Sequence, residues 1–192
     1  MHSTDQPDLG VELLRLARDS IEHGLVNGEP LLICFDGMPD PLADLAATFT
    51  TLRLDGRLRG CVGNLEATRP LARDVAHTAF RAAFRDPRFD PVVDHELAAI
   101  RLEVSVLTPL EPLPASNEAD LLQKLEPGTD GLVIDQDARR ATFLPKVWDQ
   151  LPDPSAFLSA LKVKCGLEKN YWSERLRFHR YRTTTYVEPA KD

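Results

Sequence analysis

Residues 47–67 read ATFTTLRLDGRLRGCVGNLEA, two runs rich in β-forming residues on either side of Asp55-Gly56. That dipeptide supplies the positive φ angles of a tight two-residue turn, so the stretch predicts a β-hairpin. Downstream, Pro70 suits a first helical position. Leu71, Val75, Ala79 and Ala82, joined by Phe80 and Phe84, predict a helix from about 70 to 85 with apolar contacts on more than one side. Asp86-Pro87-Arg88-Phe89-Asp90-Pro91 breaks it. Ile100 to Thr108 then alternates as a half-buried strand, Leu102, Val104 and Val106 on one face and Arg101, Glu103 and Ser105 on the other. Upstream, Leu9, Leu13, Ala17, Ile21 and Leu25 fall at four-residue steps before Asn27-Gly28, the pattern of an amphipathic helix with its stop. Residues 36–44, DGMPDPLAD, predict an irregular connection.

The C-terminal half continues with a proline-rich turn at Pro109 to Pro114 and a short helix capped by Ser116. Gly131 to Asp135 pairs with Arg140 to Leu144 as a second, smaller hairpin, Asp153-Pro154 starts another helix, and Leu176 to Val187 closes the chain as a strand. This order lacks the regular strand–helix alternation of a doubly wound sheet. The expected class is α+β, with a mainly antiparallel or mixed sheet, flanking helices, and residues 1–192 as a single domain.

The formal net charge of −7 sets the molecular field against phosphate backbones and anionic membranes, which disfavours nucleic acid as a partner. There is no apolar run of membrane-spanning length, and MHSTDQPDLG has neither the basic start nor the apolar core of a signal peptide. A cytoplasmic protein is expected. Cys34, Cys61 and Cys165 are odd in number and far apart, so they read as reduced thiols rather than a disulfide framework. No CxxC, CxxxCxxC or HExxH spacing occurs, and neither a metal nor a cofactor is expected.

Chemistry concentrates on Arg57-Leu58-Arg59-Gly60-Cys61-Val62-Gly63. Regular alternation would put Arg57, Arg59 and Cys61 on one face and Leu58 and Val62 on the other. A thiol beside guanidinium groups is a candidate nucleophile or ligand contact, with Gly60 and Gly63 admitting close approach of a ligand or backbone. The competing reading makes Cys61 a small buried hydrophobe and the glycines the marks of a bulge or strand crossing. His77 completes a Cys/His pair only if its helix folds back over the strand. Glu103 and Ser105 place a carboxylate and a hydroxyl side by side, while Asp86 and Arg88 add an acid and a base in a rigid turn.

Together these segments resemble the AMMECR family, whose microbial members are called AmmeMemoRadiSam system protein A. The resemblance is carried by Leu58 to Gly63 (the family's LRGCIG, with Val62 for Ile), Ala82 to Phe89, and Glu103 to Leu107. It continues through Pro127 to Leu132, Phe143 to Val147, and Leu161 to Leu167, nearly end to end. It implies an α+β fold with a large and a smaller lobe forming a cleft toward which the LRGCIG strand points. It also implies association with a Memo-like protein and a radical S-adenosylmethionine protein. Arg59, Gly60, Cys61 and Gly63 become the candidate site, Cys61 as the catalytic thiol, with Asp86, Arg88, Glu103, Ser105 and Lys164 as binding residues. The chain departs from the family at Cys165, where Ala is usual, and at Lys146, where Gln is frequent. Two functions fit. One is an enzyme or accessory component in a pathway shared with the Memo-like and radical proteins, with Arg59 holding a small anionic group. The other is a non-catalytic binding or adaptor module using the same surface.

Overall fold

Asp55 and Gly56 adopt φ angles of 50° and 76°, and the turn they make joins the two strands of the expected hairpin. The computed structural model describes residues 8–35 and 40–189. In chain order its elements are α1 (Leu9–Asn27), α2 (Asp40–Ala43), β1 (Leu45–Leu54), β2 (Arg57–Gly63), β3 (Arg69–Pro70), α3 (Leu71–Phe84), α4 (Asp94–Leu97) and β4 (Ile100–Leu107). There follow β5 (Glu111–Pro112), α5 (Glu118–Lys124), β6 (Gly131–Gln136), β7 (Arg139–Phe143), a 3-10 turn at Pro145–Asp149, α6 (Pro154–Lys164), β8 (Arg177–Tyr181) and β9 (Thr183–Val187). The fold is α+β, its strands in two antiparallel sheets. Two compact units are present, Met1–Leu107 with Thr184–Asp192, and Thr108–Thr183.

In the first unit the strands run in the order β2-β1-β4-β9, with β3 on the end of β1. Helices α1 and α3 pack on each other and against this sheet. Period-2 burial on the strands meets the helical stripes, so Leu52, Leu102 and Val104 share a core with Leu13, Ile21, Val75 and Ala79, all fully buried. The Asp8 side chain accepts the Gly10 N–H at 2.9 Å to start α1, and Gly28, at φ 74°, ends it. The second unit has the order β5-β8-β6-β7 and its own core, in which Trp148 stacks on Phe157 at 3.7 Å.

The structure differs from the sequence expectations in particular places. Of the connection expected over 36–44, residues 36–39 lie outside the described residues, and Asp40–Ala43 forms α2. Asn117, not Ser116, caps α5, accepting the Asp120 N–H at 2.9 Å. The closing strand divides at Arg182 into β8, which pairs with β6, and β9, which joins β4 in the other sheet. Among the described residues no helix is long and apolar enough to cross a membrane.

Candidate functional site

The register of β2 on β1 slips once. Gly60 pairs with Leu52 but Leu58 pairs with Arg53, so Arg59 is an extra residue in a β-bulge. A bulge reverses the alternation on one side of it. Arg57 therefore opposes Leu54 and Leu58 opposes Arg53, whereas Cys61 still opposes Thr51. The expected face of Arg57, Arg59 and Cys61 does not form.

Gly60 accounts for the slip. It lies on the helix-covered side of the sheet, where a Cβ would stand 2.1 Å from the carbonyl oxygen of Ala82 in α3. Only glycine permits this approach of helix to strand. Gly63 is used similarly, since a Cβ there would stand 2.2 Å from the Phe49 ring. Both glycines thus accommodate protein atoms.

Arg59 is committed to α4 and the loop before it. Its Nε and Nη2 donate to the two carboxylate oxygens of Glu96, each at 2.8 Å, and its Nη1 donates to the Asp90 carbonyl at 2.9 Å. Each partner raises the other's preference for charge: the hydrogen bond to Glu96 raises the Arg59 pKa, and that to Arg59 lowers the Glu96 pKa. The anion held by Arg59 is therefore a residue of its own chain.

Cys61 lies on the edge strand, and its outward backbone groups are taken by the loop after α3. The Cys61 N–H donates to Asp86 Oδ2 at 2.9 Å, and Arg88 Nη2 donates to the Cys61 carbonyl at 3.1 Å. Arg88 also donates to Asp86 through Nε, at 2.9 Å, and Nη2, at 2.7 Å. Asp86-Pro87-Arg88 thus replaces a neighbouring strand, with one side chain as acceptor and one as donor. These bonds hold the Asp86 carboxyl down at about 2, the Arg88 bond being the largest cause. The Arg88 pKa is raised, first by Asp86 and in smaller part by Cys61, so the guanidinium adjoining the cysteine is that of Arg88.

The half-buried Cys61 side chain points to the sheet face opposite α3. Across that face Cys61, Thr51 and Glu103 form one cross-strand row, with Phe49 and Ser105 in the next. Thr51 Oγ1 donates to Cys61 Sγ at 3.4 Å, Arg53 Nε donates to Glu103 Oε1 at 2.8 Å, and Ser105 Oγ lies 2.8 Å from Thr185 Oγ1. Thr51 and Arg53 were not singled out in the sequence, although both occupy the polar phase of β1. His77 lies on α3, on the other side of the sheet, where burial is the first cause of its lowered pKa. Lys164 belongs to the second unit and donates to the Thr142 carbonyl at 2.9 Å. Among the described residues no group of three or more His, Cys, Asp or Glu is placed to hold a metal ion.

An antiparallel sheet backed by α1 and α3, its edge strand clamped at a cysteine, joined in one chain to a second four-stranded sheet, defines an α+β protein of the AMMECR kind. The chain belongs to the AMMECR1 family, which it matches over residues 14–186. It is 36% identical over 191 residues to a protein of Thermofilum pendens, covering 93% of this chain and 89% of that one. It is also 36% identical over 183 residues to a protein of Methanothermobacter thermautotrophicus, covering 94% and 95%. Among solved structures, the uncharacterised protein PH0010 of Pyrococcus horikoshii superposes with a TM-score of 0.87 at 31% identity, over 93% of this chain and 91% of that one.

Proposed function

We propose that this protein is an enzyme, or the accessory component of one, in a small-molecule or protein-modification pathway shared with a Memo-like protein and a radical S-adenosylmethionine protein. Its working surface is the sheet face bearing Cys61, Thr51 and Glu103. The observation that carries the reading is the combination of a backbone fixed on both sides with a cysteine that is only half-buried among polar side chains. Fixing the main chain holds the thiol in one geometry while leaving it reachable. The cation for a small anionic ligand is Arg88, about half-exposed and adjoining Cys61. Arg59 has the different task of tying β2 to α4.

The second reading, a non-catalytic binding or adaptor module, is favoured by the protein-filled surroundings of Gly60, Gly63 and Arg59, which make most of the LRGCVG motif architectural. Co-expression with the Memo-like and radical proteins separates the two. Products are compared by mass spectrometry for the parent and for Cys61→Ala, alongside co-purification of the partners. The enzyme reading expects products to disappear while the partners still co-purify. Products unchanged by Cys61→Ala would overturn it and leave the adaptor.

A further inference from the structure

The turn that leads into β6 holds the Asp130 side chain wholly out of solvent. Oδ2 accepts the Glu126 N–H at 3.0 Å, and the Asp130 N–H returns to the Glu126 carbonyl at 3.0 Å, closing the loop from both ends. Gly128 supplies the required φ of 79°, and Trp148 Nε1 donates to the Asp130 carbonyl at 2.7 Å. Every polar atom of Asp130 is thereby accounted for except Oδ1. That oxygen has no hydrogen-bond partner, and the cation it meets among the described residues, Arg182 Nε, stands at 3.7 Å. A buried carboxylate oxygen without a donor is a cost that a bound donor would remove.

Asp130 forms part of the wall of a pocket of about 290 Å³ completed by Thr108, Glu111, Arg180, Tyr181 and Arg182. Arg180 gives its Nε to Glu111 at 3.2 Å, and Arg182 gives an Nη to Glu126 at 2.7 Å. Each of these bonds uses one nitrogen of a fork that carries five N–H donors. The pocket therefore combines an acceptor lacking a donor with guanidinium donors to spare. A simple anion would be repelled by Asp130 and Glu111, and a simple cation by Arg180 and Arg182. A molecule carrying both charges a short distance apart meets neither penalty, and the volume lies at the small end of ligand pockets.

We infer that this pocket binds a small zwitterion of the α-amino-acid type, its ammonium donating to Asp130 Oδ1 and its carboxylate received by Arg180 and Arg182. The site lies in the second unit and stands independently of any role for Cys61. The Pro127 to Leu132 motif is then a loop whose closure presents one carboxylate oxygen to a ligand.

The test is ligand-observed saturation-transfer NMR on the intact chain with a mixture of standard L-amino acids, followed by titration of those that respond. N-acetyl and carboxamide derivatives of the responders serve as singly charged controls. Responding amino acids should bind the parent, and either derivative should bind at least about tenfold more weakly, because each leaves one polar partner unmet. Asp130→Asn retains an oxygen for the Glu126 N–H but turns an amide donor toward the ammonium, and should weaken binding by a similar factor. Should Asp130→Asn not fold, Arg180→Met, at a position where the side chain is half-buried, carries the same expectation. No response from any amino acid at millimolar concentration would overturn the inference, as would equal binding by the parent and the folded variants. Either result would mean that the Arg182 guanidinium, 3.7 Å away, suffices for Oδ1.

Discussion

Asp86→Asn removes one charge from the clamp on Cys61 while keeping the shape of the side chain. The Asp86 side chain is 3% exposed and accepts from the Cys61 N–H, the Arg88 N–H and the Arg88 guanidinium. Its carboxyl titrates at about 2, against an ordinary value of 3.8. That difference corresponds to roughly 2 kcal/mol, at 1.36 kcal/mol per pH unit and after a discount for screening of Arg88, which is about half-exposed. The folded carboxyl is the stronger acid, so between the two values the unfolded chain binds more protons. The stabilisation is therefore complete above about pH 4 and drains away as the pH falls toward about 2. Urea unfolding followed by far-ultraviolet circular dichroism reports on α1 and α3, the long helices of the unit that contains Asp86. At pH 7 the variant should be about 2 kcal/mol less stable than the parent, and the gap should shrink steadily below about pH 4. Equal stability at pH 7 would show that the clamp contributes nothing. A gap independent of pH would show that the amide fails for steric reasons, and the charge argument would fall.

Iodoacetamide should modify Cys34 and Cys61 in the folded protein, as peptide mapping would show, and leave Cys165, 6% exposed and its pKa raised by burial, unmodified until denaturant is added. Protection of Cys61 in the folded state would remove the basis for a working thiol. Arg59→Met should leave the alkylation rate of Cys61 within about twofold of the parent, since the guanidinium is engaged by Glu96, while costing about 2 kcal/mol by stranding that carboxylate, whose side chain is 15% exposed. Gly60→Ala should cost about 3 kcal/mol or prevent folding, because the obstructing atom is a helix carbonyl that cannot rotate away; a variant as stable as the parent would refute the account of the bulge. Cys165→Ala, in the second core, should lower stability by no more than about 1 kcal/mol in the same urea experiment.

The elements legible from residues alone were those specified locally. Asp55-Gly56 fixes the hairpin because positive φ is a property of the turn itself. The alternation of Ile100 to Leu107 and the stripe of α3 fix which faces are buried. Elements whose geometry depends on a distant partner were not legible. Leu176 to Val187 contains no glycine or proline, so nothing in its composition marks Arg182 as the point where the chain passes from one sheet to the other. Asn117 and Ser116 are both good caps, and the choice between them is made by backbone geometry at the start of α5.

The candidate site shows most clearly how such a reading fails. Arg57, Leu58 and Arg59 alternate charged and apolar side chains, so a strict two-residue period through Cys61 is the natural inference, and it breaks at Arg59. The decisive information lies in two other segments: Leu52, which must sit opposite a residue on the core side, and Ala82, whose carbonyl fills the space where that residue's side chain would be. Only Gly60 meets both demands, so Arg59 is displaced into the bulge toward Glu96, and Cys61 keeps the face it shares with Thr51 and Glu103. The cation that adjoins the cysteine then comes from Asp86-Pro87-Arg88, a segment that sequence reasoning had valued separately, because closing a strand edge with side chains is a long-range act. Arg88 thereby takes the place beside the cysteine that the linear spacing assigned to Arg59. This difference is why Arg59→Met and Asp86→Asn, each removing a charge at β2, should differ: the first is felt at α4, the second at the backbone of Cys61.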